Sequence, residues 1–324
     1  MSILRYILRR LLSSIPLLFV IPLITFFLMH LVPGNYFDAL RINPQVSPET
    51  VQKYESLYHL DKPFIIQYFY WVRNLLRLDF GYSFAYKQPV LKILGSRLGN
   101  TFLLSSVSFL IAWILAICFG LVAGLKRNGL FDRCFNFIAY LGLSIPNFLF
   151  CLIALCAVSH FGFLPTGGMR SVAYDDLDWI GKIGDIARHM VIPVFVLATG
   201  SFAFLFRLMR AQTLEILDQE FVLYLRSQRI PEWKLIFKHI ARNAINPMVS
   251  LFGLELPTLF SGAALVEIFT GWPGLGQMML QAVRAQDVFL VLGNLVMIAL
   301  LLVIGNLLAD ILLVVMDPRI RLEG

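Results

Sequence analysis

Residues 11–32 contain no Asp, Glu, Lys or Arg, and five more long apolar runs follow at 101–125, 134–159, 189–206, 247–269 and 289–316. A backbone crossing the hydrocarbon core of a bilayer must satisfy its own hydrogen bonds, and a helix does so over about 20 mostly apolar residues. The runs therefore predict an all-α polytopic membrane protein with six transmembrane helices. Composition agrees, since 58% of the 324 residues are hydrophobic and 15% are charged, where soluble domains are about a quarter charged. An ordinary water-soluble globule is excluded. The first run has a basic flank (Arg5, Arg9, Arg10), as a secretory signal has, but it is long and carries no A-x-A cleavage site, so an anchor helix is expected.

An even number of spans places both termini on one side. The segments on that side (1–10, 126–133, 207–246 and 317–324) hold 15 Lys and Arg in 66 positions, whereas the opposite set (33–100, 160–188 and 270–288) holds 12 in 116. Cytoplasmic loops retain positive charge, so the termini are expected in the cytoplasm. The net charge of +7 is explained by this topology, because the basic residues lie between apolar segments and form no continuous face for nucleic acid. Cys118, Cys134, Cys151 and Cys156 fall in or beside apolar runs, without the spacing of a disulfide framework or a metal site.

The resulting organisation is a cytoplasmic N-terminus with the first span (1–32), an external subdomain (33–100), a five-helix core (101–316) containing a cytoplasmic loop (207–246), and a cytoplasmic tail (317–324). Proline near the first turn opens two predicted external helices, 48–58 and 64–78. In the second span Ser108, Ala112, Ala116, Gly120 and Gly124 recur every fourth residue, a pattern that lets helix backbones approach closely. The stripe serves either packing within this chain or packing against another helix of a complex. Ionisable residues inside spans are costly unless they face protein or water. Glu255 shares a helix face with Thr258 and Gly262, and these three are assigned either to a translocation path or to an interhelical bond. Glu267 and Asp310, near span ends or beside Asn306, read as structural.

The loop 207–246 ends on an amphipathic pattern. With Pro231 at the first helical position, Trp233, Ile236, Phe237 and Ile240 fall at i, i+3, i+4 and i+7. Such a stripe either buries itself against its own membrane domain or enters a groove on a partner, and the spacing does not choose between them.

The run from Glu220 to Pro247, with Arg242-Asn243-Ala244, resembles the EAA loop of bacterial ABC-importer permeases of the dipeptide/oligopeptide/nickel family. Further landmarks stand in order: Leu8-Arg9-Arg10, Pro33-Gly34, Tyr58-His59-Leu60-Asp61-Lys62-Pro63, Gln67-Tyr68, Asp79-Phe80-Gly81, Ser144-Ile145-Pro146 and Leu164-Pro165. Glu267, Gly271-Trp272-Pro273-Gly274-Leu275-Gly276 and Asp317-Pro318-Arg319-Ile320-Arg321 complete a resemblance that covers nearly the whole chain. The oligopeptide branch, and its B-type permease subunit in particular, is the most similar. The sequence departs from the pattern at Arg229, where the family has glycine, and at Leu225, where it has a small residue.

The resemblance implies a type I ABC importer permease in a bacterial inner membrane, carrying peptides or, within the same family, nickel, glutathione or another small ligand. It implies a homologous second permease, two ATPase subunits and an external substrate-binding protein as partners, beside membrane lipid. Arg226, Arg229, Pro231, Glu232, Trp233, Ile236, Phe237, His239 and Ile240 would then form the ATPase-docking element. The chain has no G-x-x-x-x-G-K-[ST] phosphate loop, no H-E-x-x-H and no G-x-S-x-G, and its five histidines are scattered. Gly274-Leu275-Gly276 lacks the third glycine of a dinucleotide fingerprint. No cofactor, metal or catalytic residue is therefore assigned to this chain, and ATP and Mg are expected on the partner ATPases. The competing readings are a secondary transporter that works without an ATPase, for which inverted repeats are not discernible, and an intramembrane enzyme, for which no nucleophile or metal motif is present.

Overall fold

The fold is given by a computed structural model, which describes residues 3–31, 36–41, 48–57, 59, 62–255 and 263–316. The described residues divide into two compact units, one drawn from 3–101 and 273–304, the other from 102–272 and 305–316.

The first unit contains α1 (Ile3–Leu31), α2 (Tyr36–Arg41), α3 (Pro48–Leu57) and α4 (Phe64–Leu75), followed by a two-stranded antiparallel hairpin, β1 (Tyr82–Ser83) and β2 (Gln88–Pro89). Among the described residues the hairpin is the departure from an all-helical reading. Both helices predicted in 33–100 form, and the second ends slightly early. Past α4, Leu78 adopts a left-handed φ of 62°, so the helix cannot continue to it. Aromatic residues knit the unit together: Phe37 and Phe84 meet at 4.8 Å between ring centroids, and Phe84 contacts Phe289 at 5.7 Å. Asp287 is fully buried. It accepts hydrogen bonds from Ser83 Oγ (2.6 Å), Ala85 N (3.0 Å) and Leu290 N (3.2 Å), tying the hairpin to the start of the last helix. Burial pushes its carboxyl above the usual range, and these donors oppose that push.

Helix α5 (Val90–Leu125) begins eleven residues before the predicted second span, absorbing the end of the segment read as external. In the second unit it meets α6 (Leu130–Ser144), where Phe119 and Phe135 stand 4.6 Å apart between ring centroids, and α8 (Trp179–Leu217), while α7 (Asn147–Phe161) packs on α8. Small residues decide how closely. A Cβ on Gly120 would stand 2.7 Å from Met209 Cβ and 2.9 Å from Phe206 O, and one on Gly124 would stand 2.6 Å from Thr213 Cβ. The stripe is therefore used within this chain, against α8, with Ala112 and Ala116 fully buried beside it.

The predicted third span, 134–159, is not one straight helix. It is α6 and α7 bent by 109° at Ser144-Ile145-Pro146. Proline lacks an N–H, and it forces Ile145 into extended backbone (φ −96°, ψ 121°). Pro146 then caps a new helix. The fourth predicted span is longer than expected: Asp178 accepts a hydrogen bond from Gly181 N at 2.9 Å, starting α8 ten residues before His189, and the helix continues into the segment read as loop. For the fifth, α11 (Arg242–Glu255) and α12 (Ala264–Thr270) are helical, and 256–262 lie outside the described residues. Helices α13 (Leu275–Arg284) and α14 (Val288–Met316) complete the chain. Among the described residues four helices are long and apolar enough to cross a membrane, and five if the bent pair is one span. The fifth candidate, 247–269, includes residues outside the described set and does not enter this count.

Candidate functional site

The segment joining α8 to α11 contains α9 (Glu220–Ser227), a single turn α10 (Glu232–Lys234) and a π-helical turn over Leu235–Ala241. Pro231 is the N-cap of this element, one position earlier than predicted, and its carbonyl accepts from Lys234 N and Leu235 N. The π turn changes the geometry of the apolar stripe. In an α-helix Trp233, Ile236, Phe237 and Ile240 share one face, but i→i+5 bonding widens the turn and splits them. Ile240 is buried at 1% exposure and Leu235 at 0%, in a core with Phe206, Met209 and Met248, and Ile236 packs partly against it. Trp233 and Phe237 remain 62% and 68% exposed. Lys234 Nζ lies 5.4 Å from the Trp233 ring centroid. Half of the stripe anchors the element to its own domain, and half stands free on the surface.

The remaining residues of the predicted docking set frame this pair. Arg226 Nε approaches Glu232 Oε1 at 3.6 Å, linking α9 to α10 across solvent, a pair of small energetic value. His239 is half-buried, and its carbonyl accepts from Asn243 Nδ2 at 2.8 Å. Arg229, at the family's glycine position, has φ of 55°, so the left-handed turn is retained at the cost of a Cβ in that region. Leu225 packs partly against the buried core, which gives the larger side chain a place. Among the predicted pathway residues, Glu255 ends α11, its side chain lying outside the described residues with Thr258 and Gly262. Glu267 is fully buried on α12.

One feature of this region was missed by reading the sequence. Asp132 on α6 is 2% exposed and bonded by Arg210 on α8, with Asn136 Nδ2 at 2.6 Å and Asn128 N at 3.0 Å also donating to its carboxylate. Both residues sit in segments read only for positive charge. An acid beside a short basic loop was the available signal.

Across known proteins, the profile described as "Binding-protein-dependent transport system inner membrane component" matches residues 116–322, and its companion, "Binding-prot-dependent transport system membrane comp, N-term", matches residues 3–105. The chain belongs to this family of transport permeases. It is 36% identical over 318 residues to the oligopeptide transport system permease protein AppB of Bacillus subtilis, covering 98% of this chain and 99% of that one. It is also 31% identical over 320 residues to the oligopeptide transport system permease protein OppB of Haemophilus influenzae, with the same coverage. The fold is accordingly that of a type I ABC permease, and the chain is a multi-pass membrane protein.

Proposed function

We propose that this permease forms half of the translocation pathway of an ATP-driven peptide importer in a bacterial inner membrane, with both termini cytoplasmic. A homologous second permease, two ATPase subunits that bind ATP and Mg, and an external substrate-binding protein complete the machine. The observation that carries the reading is the exposed Trp233 and Phe237 pair on an element whose Leu235 and Ile240 are buried, in a chain 36% identical to an oligopeptide permease. Large aromatic side chains with a fixed base and a free face suit a groove on a partner. Arg226, Arg229, Glu232 and His239 form the polar rim of that contact. Closure of the ATPases would move this element, and Ile240 and Leu235 would transmit the movement to α8 and α11. Glu255, Thr258 and Gly262 are assigned to the substrate path. Uptake that is unchanged in Glu255→Gln removes that residue from it.

The test is to purify the tagged chain in mild detergent, identify the chains that come with it by mass spectrometry, and assay ATP hydrolysis. The proposal expects a second homologous permease and ATPase subunits with activity. An intact membrane preparation from which the chain repeatedly emerges without an ATPase contradicts it and favours a secondary transporter.

A further inference from the structure

Around the break between α6 and α7 lies a cavity of about 600 Å³, bounded by α5, α6, α7, α8 and Ala263. That volume is in the range of small-ligand sites. Ile145 and Pro146 form part of its wall, so the proline that bends the predicted third span also opens this space. Four polar side chains reach it from three helices: Ser105 and Ser108 on α5, Asn147 on α7 and Ser201 on α8. Ser108 Oγ donates to Leu104 O at 2.8 Å, as serines in helices commonly do. Ser105 does not. It is 6% exposed, and its Oγ has no hydrogen-bond partner among the described residues, a desolvated state that a bound donor or acceptor relieves. Gly200 keeps the wall open, since a Cβ there would meet Asn147 Oδ1 at 3.1 Å.

Among the described residues the lining contains no Lys, Arg, His, Asp or Glu. A fixed charge in a partly desolvated cavity would hold cargo of opposite sign and repel cargo of like sign. Hydroxyls and one amide instead supply both donors and acceptors without net charge, which is the complement of a peptide bond. Resting on the peptide-importer reading, we infer that this cavity binds the backbone of the transported peptide through Ser105, Ser108, Asn147 and Ser201.

The experiment reconstitutes the whole transporter, this permease with its partner chains and binding protein, in proteoliposomes and measures ATP-dependent uptake of radiolabelled trialanine, trilysine and triglutamate. Ser201→Asp is expected to lower triglutamate uptake relative to trilysine by about tenfold compared with wild type, and Ser201→Lys to shift the ratio the opposite way. Ser105→Ala, which preserves volume, is expected to lower uptake of all three by a common factor of about two to ten. Wild-type ratios in both charged variants overturn the assignment, and if those variants fail to assemble, wild-type uptake by Ser105→Ala overturns it. A wild-type transporter that hydrolyses ATP and imports none of the three peptides overturns the importer reading itself.

Discussion

Arg210 holds both carboxylate oxygens of Asp132, Nε to Oδ1 at 2.5 Å and Nη2 to Oδ2 at 2.8 Å, across 78 positions of sequence. The two-pronged geometry clamps α6 to α8, one turn of helix from the Gly124 contact with Thr213. Removing one member of a buried pair leaves the other charge uncompensated and costs about 3 kcal/mol or more. Asp132→Ala and Arg210→Ala should each lower thermal stability in detergent by that order, and the double variant should lose clearly less than the sum. Additive losses would mean that the two side chains act independently.

The close approach of α5 to α8 makes a second prediction with an internal control. Gly120→Ala places a Cβ 2.7 Å from Met209 Cβ and should cost about 1–3 kcal/mol through overpacking. Gly95→Ala, on the same helix with nothing within 4 Å of the new Cβ, should be neutral or stabilising by up to about 1 kcal/mol. Thermal unfolding of the two variants beside wild type reads the difference, and equal effects would remove the packing argument.

Arg229 supplies a prediction of opposite sign. Its φ of 55° is a region where a Cβ is penalised, so Arg229→Gly should stabilise the turn by about 1 kcal/mol, a rise of about 2 °C or slightly more in Tm for a domain of this size. A fall in Tm would show that the Arg229 side chain contributes more than the backbone loses.

Much of this was legible in the sequence. Apolar run length gives the helices because the bilayer fixes the span, and the Gly120 and Gly124 spacing announces a close helix contact. Reading one residue at a time could not choose the partner of that contact, which required knowing that Met209 and Thr213 stand opposite. The break at Pro146 was visible as a landmark, yet an unbroken apolar composition from 134 to 159 hid its 109° consequence. Likewise, the spacing of Trp233, Ile236, Phe237 and Ile240 assumes 3.6 residues per turn, and the π turn over Leu235–Ala241 breaks that assumption. The Asp132–Arg210 pair left only a weak signal, an acid beside a short basic loop, since each residue alone resembles a solvated loop charge.

Asp287 gives a pH dependence. Its folded pKa is raised by burial, so the folded state binds the proton more tightly than the unfolded chain does. The stabilisation this provides is fully present below the unfolded value, about 3.9, and is lost as pH rises through the folded value. Unfolding midpoints of wild type and Asp287→Asn, measured at a series of pH values, should therefore differ in favour of wild type most strongly at the acid end. A difference that does not change with pH would show that the Asp287 carboxyl titrates as it does in the unfolded chain.

The exposed pair Trp233 and Phe237 carries the central claim that this permease is driven through a docked ATPase. Surface substitutions that touch no core residue change stability by about 0.5 kcal/mol or less, so Trp233→Ala with Phe237→Ala should leave the isolated permease as stable as wild type. The decisive measurement is ATP-dependent peptide uptake, together with ATPase rate, by the reconstituted transporter carrying this double variant. The account predicts uptake reduced by about tenfold or more, through failed assembly or through hydrolysis no longer coupled to transport. Wild-type assembly, hydrolysis and uptake in the double variant would contradict it.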